Sequence, residues 1–216
     1  MTTEINSAVW IEEAKKYGVD LSEALYQDKR AAYAYLDSLG LPRPATYIVA
    51  LKDWVTHKRQ CSDFINNYKP VFSRLAPHES KGKRPFHLQI NTIKDLEVFI
   101  NKNKMPVEEY DIHLVEKGVQ QYSGIIIVNK KIVAEMVKGE LINLTNRNMT
   151  PMTVWLDDVH TKYVFTNDKE FSSHEKALLK KAIKLVAHHQ GYFEFYFIGS
   201  KLLFSNAQPY GGFVRI

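Results

Sequence analysis

Cysteine is nearly absent from this chain. Cys61 is the only one in 216 residues, which excludes an intramolecular disulfide, and no Cys/His spacing suggests zinc. A reduced cytoplasmic setting is expected. Nothing approaches the roughly 20 apolar residues needed to span a bilayer, and the opening MTTEINSAVWIEEAKK carries early acidic residues and no apolar stretch of signal-peptide length. The expectation is a soluble intracellular protein with no membrane association. Neither GxGxxG nor GxxxxGK[ST] occurs, so neither phosphate-binding motif supports a Rossmann or P-loop fold. Internal repeats and low-complexity segments are also missing.

What is present suits a folded chain of one domain or two small lobes. Hydrophobic residues make up 45% and aromatics 12%, enough to bury a substantial core at this length. Lys and Arg number 29 against 24 for Asp and Glu, a net charge of +5. The basic residues are scattered, and their densest cluster is Lys81, Lys83 and Arg84. Such an excess suits a polyanion or a small anion such as a nucleotide equally well.

Read in order, SAVWIEEAKKY (7–17) is compatible with a short helix. DKRAAYAYLDSL (28–39) sets Ala32, Tyr35, Leu36 and Leu39 on one helical face and stops at Gly40 and Pro42. LPRP is extended, because a residue before proline is pushed out of the helical region. It leads into a strand at 45–51. A helix from about Asp53 to Phe64 follows, then a strand at NYKPVF (67–72) carrying Lys69, and a polar, basic loop over 73–85. FHLQI (86–90) is a strand, and Thr92 with Asp95 caps a helix through Ile100.

Between Asp111 and Gly139 three apolar runs are separated by Gly-containing or Lys-rich turns. Runs this short read as adjacent strands. TVWL (153–156) is another short strand, and His160 to Glu170 is loop-like. After Ser172 and Ser173, Ala177, Leu178, Ala182, Leu185 and Val186 form one face of a helix with lysines opposite. The adjacent His188 and His189 point about 100° apart on a helix, so they are not read as a metal pair. FEFYFIG and KLLFSN form a hairpin turned at Gly199 and Ser200. Hairpins mixed with isolated helices predict an α+β fold with largely antiparallel sheets.

Four stretches, in this order and at these intervals, resemble the ATP-grasp superfamily. DKRAAYAYLDSLGLPRPATYIV (28–49) resembles the segment that opens the nucleotide-binding lobe. NYKPVF resembles the strand carrying a second ATP lysine, LVEKGV (114–119) the connection that holds adenine and ribose, and FEFYF with KLLFSN (193–206) the last, metal-binding hairpin. YSGII (122–126) and VKGE further resemble the phosphoenolpyruvate-utilising branch as a distant variant. The resemblance covers most of the chain from about residue 25. It implies two small lobes with a nucleotide sandwiched between their sheets: an N-terminal helical segment over 1–44, a small nucleotide-binding lobe over 45–118 and a larger lobe over 119–216.

The resemblance also implies site residues. Lys29 and Lys69 would contact phosphates as point charges, and Glu116, Lys117 and Val119 would line the base and ribose pocket. Arg84 lies in the stretch standing for the family's phosphate-covering loop, where only Gly82 remains of the usual glycines. Glu194 and Asn206 match the outer magnesium ligands, while Phe204 stands where a second acid is usual and Asp157 or Asp158 could come in from elsewhere. Arg147 or Arg215 would hold the acceptor carboxylate.

On this reading the chain is an ATP- and Mg2+-dependent carboxylate ligase working through an acyl phosphate. The alternative is a degenerate nucleotide-binding or regulatory module needing a partner chain or a second copy, motivated by Phe204, the glycine-poor loop and the short segment before Asp28. A third reading, nucleic-acid binding through Lys81 to Arg84, is not favoured, because most Tyr and Phe residues fall within strand and helix patterns rather than in a basic groove.

Overall fold

The computed structural model describes residues 29–78, 82–129, 131–145, 148–156, 162–166 and 168–209. The helix expected over 7–17 lies outside them, as do Lys81, Arg147, Asp157, Asp158 and Arg215. The expected α+β class with antiparallel sheets is what the structure shows. The chain divides into two compact units, one made of 1–43 with 120–216 and the other of 44–119. Helix α1, Lys29–Ser38, therefore groups with the C-terminal half of the chain.

The 44–119 unit contains β1 Thr46–Ala50, a 3-10 turn Leu51–Asp53, α2 Lys58–Tyr68, β2 Val71–Pro77, β3 Phe86–Ile90, α3 Ile93–Asn103 and β4 Tyr110–Glu116. Its four strands run antiparallel in the order β1-β4-β2-β3. Val71, Leu75, Ile112 and Leu114 point to one face, where they form a core with Cys61 and Ile65 of α2 and Leu96, Phe99 and Ile100 of α3. Thr92 and Asp95 make the reciprocal cap at the start of α3, satisfying donors that a helix N-terminus leaves open.

Two boundaries differ from expectation. The helix after β1 runs on to Tyr68, and the next strand starts at Val71 and continues through Pro77 rather than ending at Phe72. The alternation of buried and partly exposed side chains along VFSRLAP is the physical reason. Val71, Ser73 and Leu75 fill the core while Phe72, Arg74 and Ala76 face away, so strand period continues through the polar pair Ser73 and Arg74.

In the other unit, α1 buries Ala32, Tyr33 and Leu36. It ends where Gly40 takes φ 65° and the Leu41 N–H reaches the Leu36 carbonyl at 3.0 Å, a turn that needs a left-handed residue. Strands β5 Tyr122–Val128, β6 Ile132–Lys138, β7 Met152–Leu156, β8 Tyr163–Thr166, β9 Gly191–Ile198 and β10 Lys201–Pro209 form one antiparallel sheet, ordered β10-β9-β5-β6-β7-β8. Two short helical turns, α4 Ile142–Thr145 and a 3-10 turn Asp168–Glu170, precede the long helix α5, Ser173–Val186. Strand β8 falls where a loop was expected, because its four residues lie among polar neighbours.

Helix α5 buries Leu178, Leu179, Ala182, Ile183 and Val186. The expected face included Ala177 and Leu185, and these are exposed. Swapping them for Leu179 and Ile183 rotates the centre of the stripe by about 70°. Phe193, Phe195, Phe197 and Phe204 are fully buried, and each such side chain contributes about 1.5–3 kcal/mol by leaving water. Gly124 makes room for them: a Cβ there would lie 2.2 Å from the Glu135 carbonyl oxygen and 2.5 Å from Cζ of Phe195. The glycine of YSGII therefore serves the packing of this sheet. Among the described residues, no helix is long and apolar enough to cross a membrane.

Candidate functional site

Each unit carries its own group of functional side chains. In the larger unit the hairpin β9–β10 places Glu194 opposite Asn206 and Tyr192 opposite Gln208, with a register shift between Phe204 and Asn206. Strand alternation alone would put Phe204 on the same face as Asn206. The bulge breaks that rule: Phe204 pairs with Phe195 and is fully buried, its ring centroid 6.3 Å from that of Phe193. The expectation that Phe204 occupies the place of a missing acid ligand is thereby corrected, because its side chain faces the core.

On the opposite face the Glu194 carboxylate is held tightly. The Tyr192 hydroxyl donates to Oε1 at 2.9 Å, Asn206 Nδ2 donates to the same oxygen at 3.3 Å, and the Ser205 hydroxyl stands 3.5 Å from Oε2. Burial, followed by the Glu194 charge, pushes the Tyr192 pKa well above its ordinary value. Lys29, at the first turn of α1, donates from Nζ to the Ser205 carbonyl at 3.2 Å. Three residues singled out from sequence, Lys29, Glu194 and Asn206, thus share one locality. The Asn206 Oδ1 and Gln208 Oε1 atoms there are buried without a hydrogen-bond partner.

Carboxylate and amide oxygens suit a hard cation, so these residues fit magnesium as a site of single negative charge. No group of three or more His, Cys, Asp or Glu side chains placed for a metal occurs among the described residues. His188 is exposed and His189 half-buried just past the end of α5.

In the 44–119 unit, Glu116 ends β4 and is bonded to Ala45 twice over. Its N–H donates to the Ala45 carbonyl at 2.9 Å, and its Oε2 accepts from the Ala45 N–H at 3.1 Å. Lys117 follows half-buried, and Val119 is exposed. Lys69 is exposed at the C-terminal end of α2, before β2 begins, so the structure does not set it in a strand. Arg84 is half-buried just before β3.

The face of this sheet that turns away from α2 and α3 carries residues the sequence reading passed over. Register places Phe72 beside Val115, Arg74 beside His113 and Ala76 beside Asp111, with Phe86 beside Arg74. Phe72 and Phe86 stack with centroids 6.0 Å apart. The Arg74 guanidinium lies 5.4 Å over the Phe72 ring. His113 and Asp111 are buried, and His78 Nε2 meets Asp111 Oδ1 at 3.1 Å. Sequence alone shows no alternation here; the strand's two-residue period, seen in its burial, is what sets Arg74 on the face of Phe72.

The fold thus defines an α+β protein with two antiparallel sheets. Solved structures similar to it include D-alanyl-alanine synthetase A from Vibrio cholerae, at 8% identity over 82% of this chain and 54% of that one, TM-score 0.47. N5-carboxyaminoimidazole synthase from Aspergillus clavatus, in complex with ADP and 5-aminoimidazole ribonucleotide, matches at 10% identity over 84% and 44%, TM-score 0.49. Macrocyclase MdnC from Microcystis aeruginosa, bound with precursor peptide MdnA, matches at 13% identity over 86% and 54%, TM-score 0.44. The chain spans about half the length of these proteins. No protein-family model and no curated protein matches it.

Proposed function

We propose that this chain is an ATP-binding protein of the ATP-grasp type, acting as an ATP-dependent carboxylate ligase. The observation that carries the reading is the helix-free face of the 44–119 sheet. It is apolar near the Glu116 end, at Val115 and Phe72, and becomes cationic along the strands at Arg74, which has Phe86 beside it. A nucleotide has the same polarity, a flat base at one end and phosphates at the other. Aromatic faces stack on a base, and a planar guanidinium matches phosphate oxygens two at a time.

On this reading Glu116, Lys117 and Val119 border the base and ribose, and Arg74 binds phosphate, with Lys69 at the margin. Lys29 would contribute charge at the hairpin, where Glu194 and Asn206 would hold magnesium, which when bound would supply charge neutralisation for phosphate. The reaction moves the γ-phosphoryl group of ATP to a carboxylate, giving an acyl phosphate and ADP. An amine then displaces inorganic phosphate. The protein's part is alignment and charge neutralisation. Arg84 is a further candidate for stabilising phosphate, and Arg147 and Arg215 are the candidates for the acceptor carboxylate.

A second reading, a nucleotide-binding module without turnover, is favoured by one observation: Glu194 is the single carboxylate on its hairpin, and Phe204 belongs to the core. The two readings separate on whether ADP is released when carboxylate acceptors are supplied.

The first test is thermal unfolding with Mg-ATP, ATP with EDTA, Mg-GTP and magnesium alone. A ligand at 100 times its Kd stabilises the fold by about 2.7 kcal/mol, a shift of several degrees at this size. Arg74→Met should raise the Kd for ATP about 10- to 100-fold, as expected on losing a charge-assisted bond of about 1.5–3 kcal/mol. Lys69→Met should change it by less than about threefold, the effect of an exposed charge. The proposal is sunk if millimolar ATP gives no shift, or if Arg74→Met binds as the parent does.

A further inference from the structure

We infer that Gln208 is a third cation ligand at the β9–β10 hairpin, taking the part that a second carboxylate would otherwise play. Strand β10 carries Asn206 and Gln208 two residues apart, opposite Glu194 and Tyr192. After the bulge at Ser205 the two amides and the carboxylate share one face of the sheet, since alternate strand residues point the same way. Gln208 is 7% exposed, and neither its Oε1 nor Asn206 Oδ1 accepts a hydrogen bond. Buried oxygens in proteins are nearly always satisfied, and two such orphans on the face that carries the Glu194 carboxylate fit a hard cation.

The orientation of Asn206 is fixed by its neighbour. Its Nδ2 donates to Glu194 Oε1, and turning the amide over would set Oδ1 against a carboxylate oxygen. Tyr192 donates to that same Oε1, leaving Oε2 with only the Ser205 hydroxyl at 3.5 Å. Glu194 Oε2, Asn206 Oδ1 and Gln208 Oε1 are therefore acceptor oxygens on one face of the hairpin, carrying one negative charge between them. A divalent hard cation takes such oxygens and completes its shell with water or phosphate. The bulge explains the ligand choice: with Phe204 turned into the core, the next residue of β10 beyond Asn206 on the site's face is Gln208.

Completion of the shell by phosphate rests on the nucleotide reading, but the three protein ligands do not. The test is therefore run on the full chain without nucleotide, titrating Mn2+ and following the free ion by electron paramagnetic resonance. One Mn2+ should bind, and Glu194→Gln should abolish it. Gln208→Leu should weaken it about tenfold and Gln208→Glu should tighten it about tenfold, because ligand number and charge set affinity at such sites.

Gln208→Glu is the decisive variant, since a merely structural glutamine would not strengthen metal binding when made acidic. Metal-free thermal unfolding of each variant establishes that it is folded, and the Glu variant still decides if the Leu variant is not. The inference is overturned if the chain binds no Mn2+ at millimolar concentration, or binds it equally in both Gln208 variants; water would then satisfy the two amide oxygens. A chain that binds Mn2+ as described but shows no ATP-dependent stabilisation would sink the nucleotide reading alone.

Discussion

Phe204 shows how one residue's surroundings decide what a substitution can do. Reading alternate residues along KLLFSN suggests that an acid at this position would join Glu194 on the metal. The bulge instead pairs Phe204 with Phe195, inside a core of Phe193, Phe195 and Phe197. Its N–H is also spoken for, donating to the Pro42 carbonyl at 2.8 Å. Phe204→Glu therefore buries an unpaired charge, which belongs to the few changes that cost about 4 kcal/mol or more. Urea unfolding should show that loss, or no folded protein at all, while Phe204→Leu should cost about 1–3 kcal/mol. A Glu variant as stable as the parent, with tighter Mn2+ binding, would return the position to the metal site.

At the scale of elements, the parts legible in the sequence were those with local causes. Thr92 and Ser172 announce helices because each has an acid three residues on, and both make the reciprocal cap. The glycine that ends α1 and the Gly199–Ser200 turn were legible for similar reasons. Strand Val71–Pro77, strand Tyr163–Thr166 and the rotation of α5 were not, because partners distant in sequence decide them. Arg74 has strand conformation through pairing with His113, and Leu179 and Ile183 are buried by the sheet they pack on. Lys69 was read into a strand for the same reason: local composition does not reveal that α2 runs on to Tyr68, directly before it.

The start of α5 also carries a pH-dependent contribution. Burial raises the Glu175 pKa, but the Ser172 N–H, the Ser172 and Tyr122 hydroxyls and the Lys138 charge outweigh it and hold the carboxyl below its ordinary value. Lys138 Nζ stands 3.4 Å from Glu175 Oε1. A depressed carboxyl favours the folded state above the unfolded pKa of about 4.3, and that contribution disappears as pH falls through the folded value. Glu175→Gln should destabilise by about 1–2 kcal/mol at pH 7, and the gap to the parent should narrow as pH falls below the unfolded pKa and on through the lower folded one. A gap independent of pH would show that the carboxylate charge is not what matters.

For the whole molecule, the division into units has a consequence for autonomy. Residues 44–119 form a continuous insertion between two segments, 1–43 and 120–216, that fold together. The insertion has its own core, from Val49 and Leu51 through Ile65, Val71 and Leu96 to Leu114. Its two ends are pinned to each other by the paired bonds between Ala45 and Glu116. An inserted unit with adjacent ends and a private core can fold alone, although at this length the margin is narrow. The fragment 44–119 should thus unfold cooperatively in urea, and Glu116→Ala should lower its midpoint by releasing the Ala45 N–H. It should also keep a weak, Arg74-dependent affinity for ATP if the nucleotide is read chiefly by this sheet face. A fragment with no cooperative transition would mean that its core is completed only within the full chain. A folded fragment indifferent to ATP would shift the reading toward the hairpin residues Lys29, Glu194 and Asn206 as the principal phosphate-side contacts.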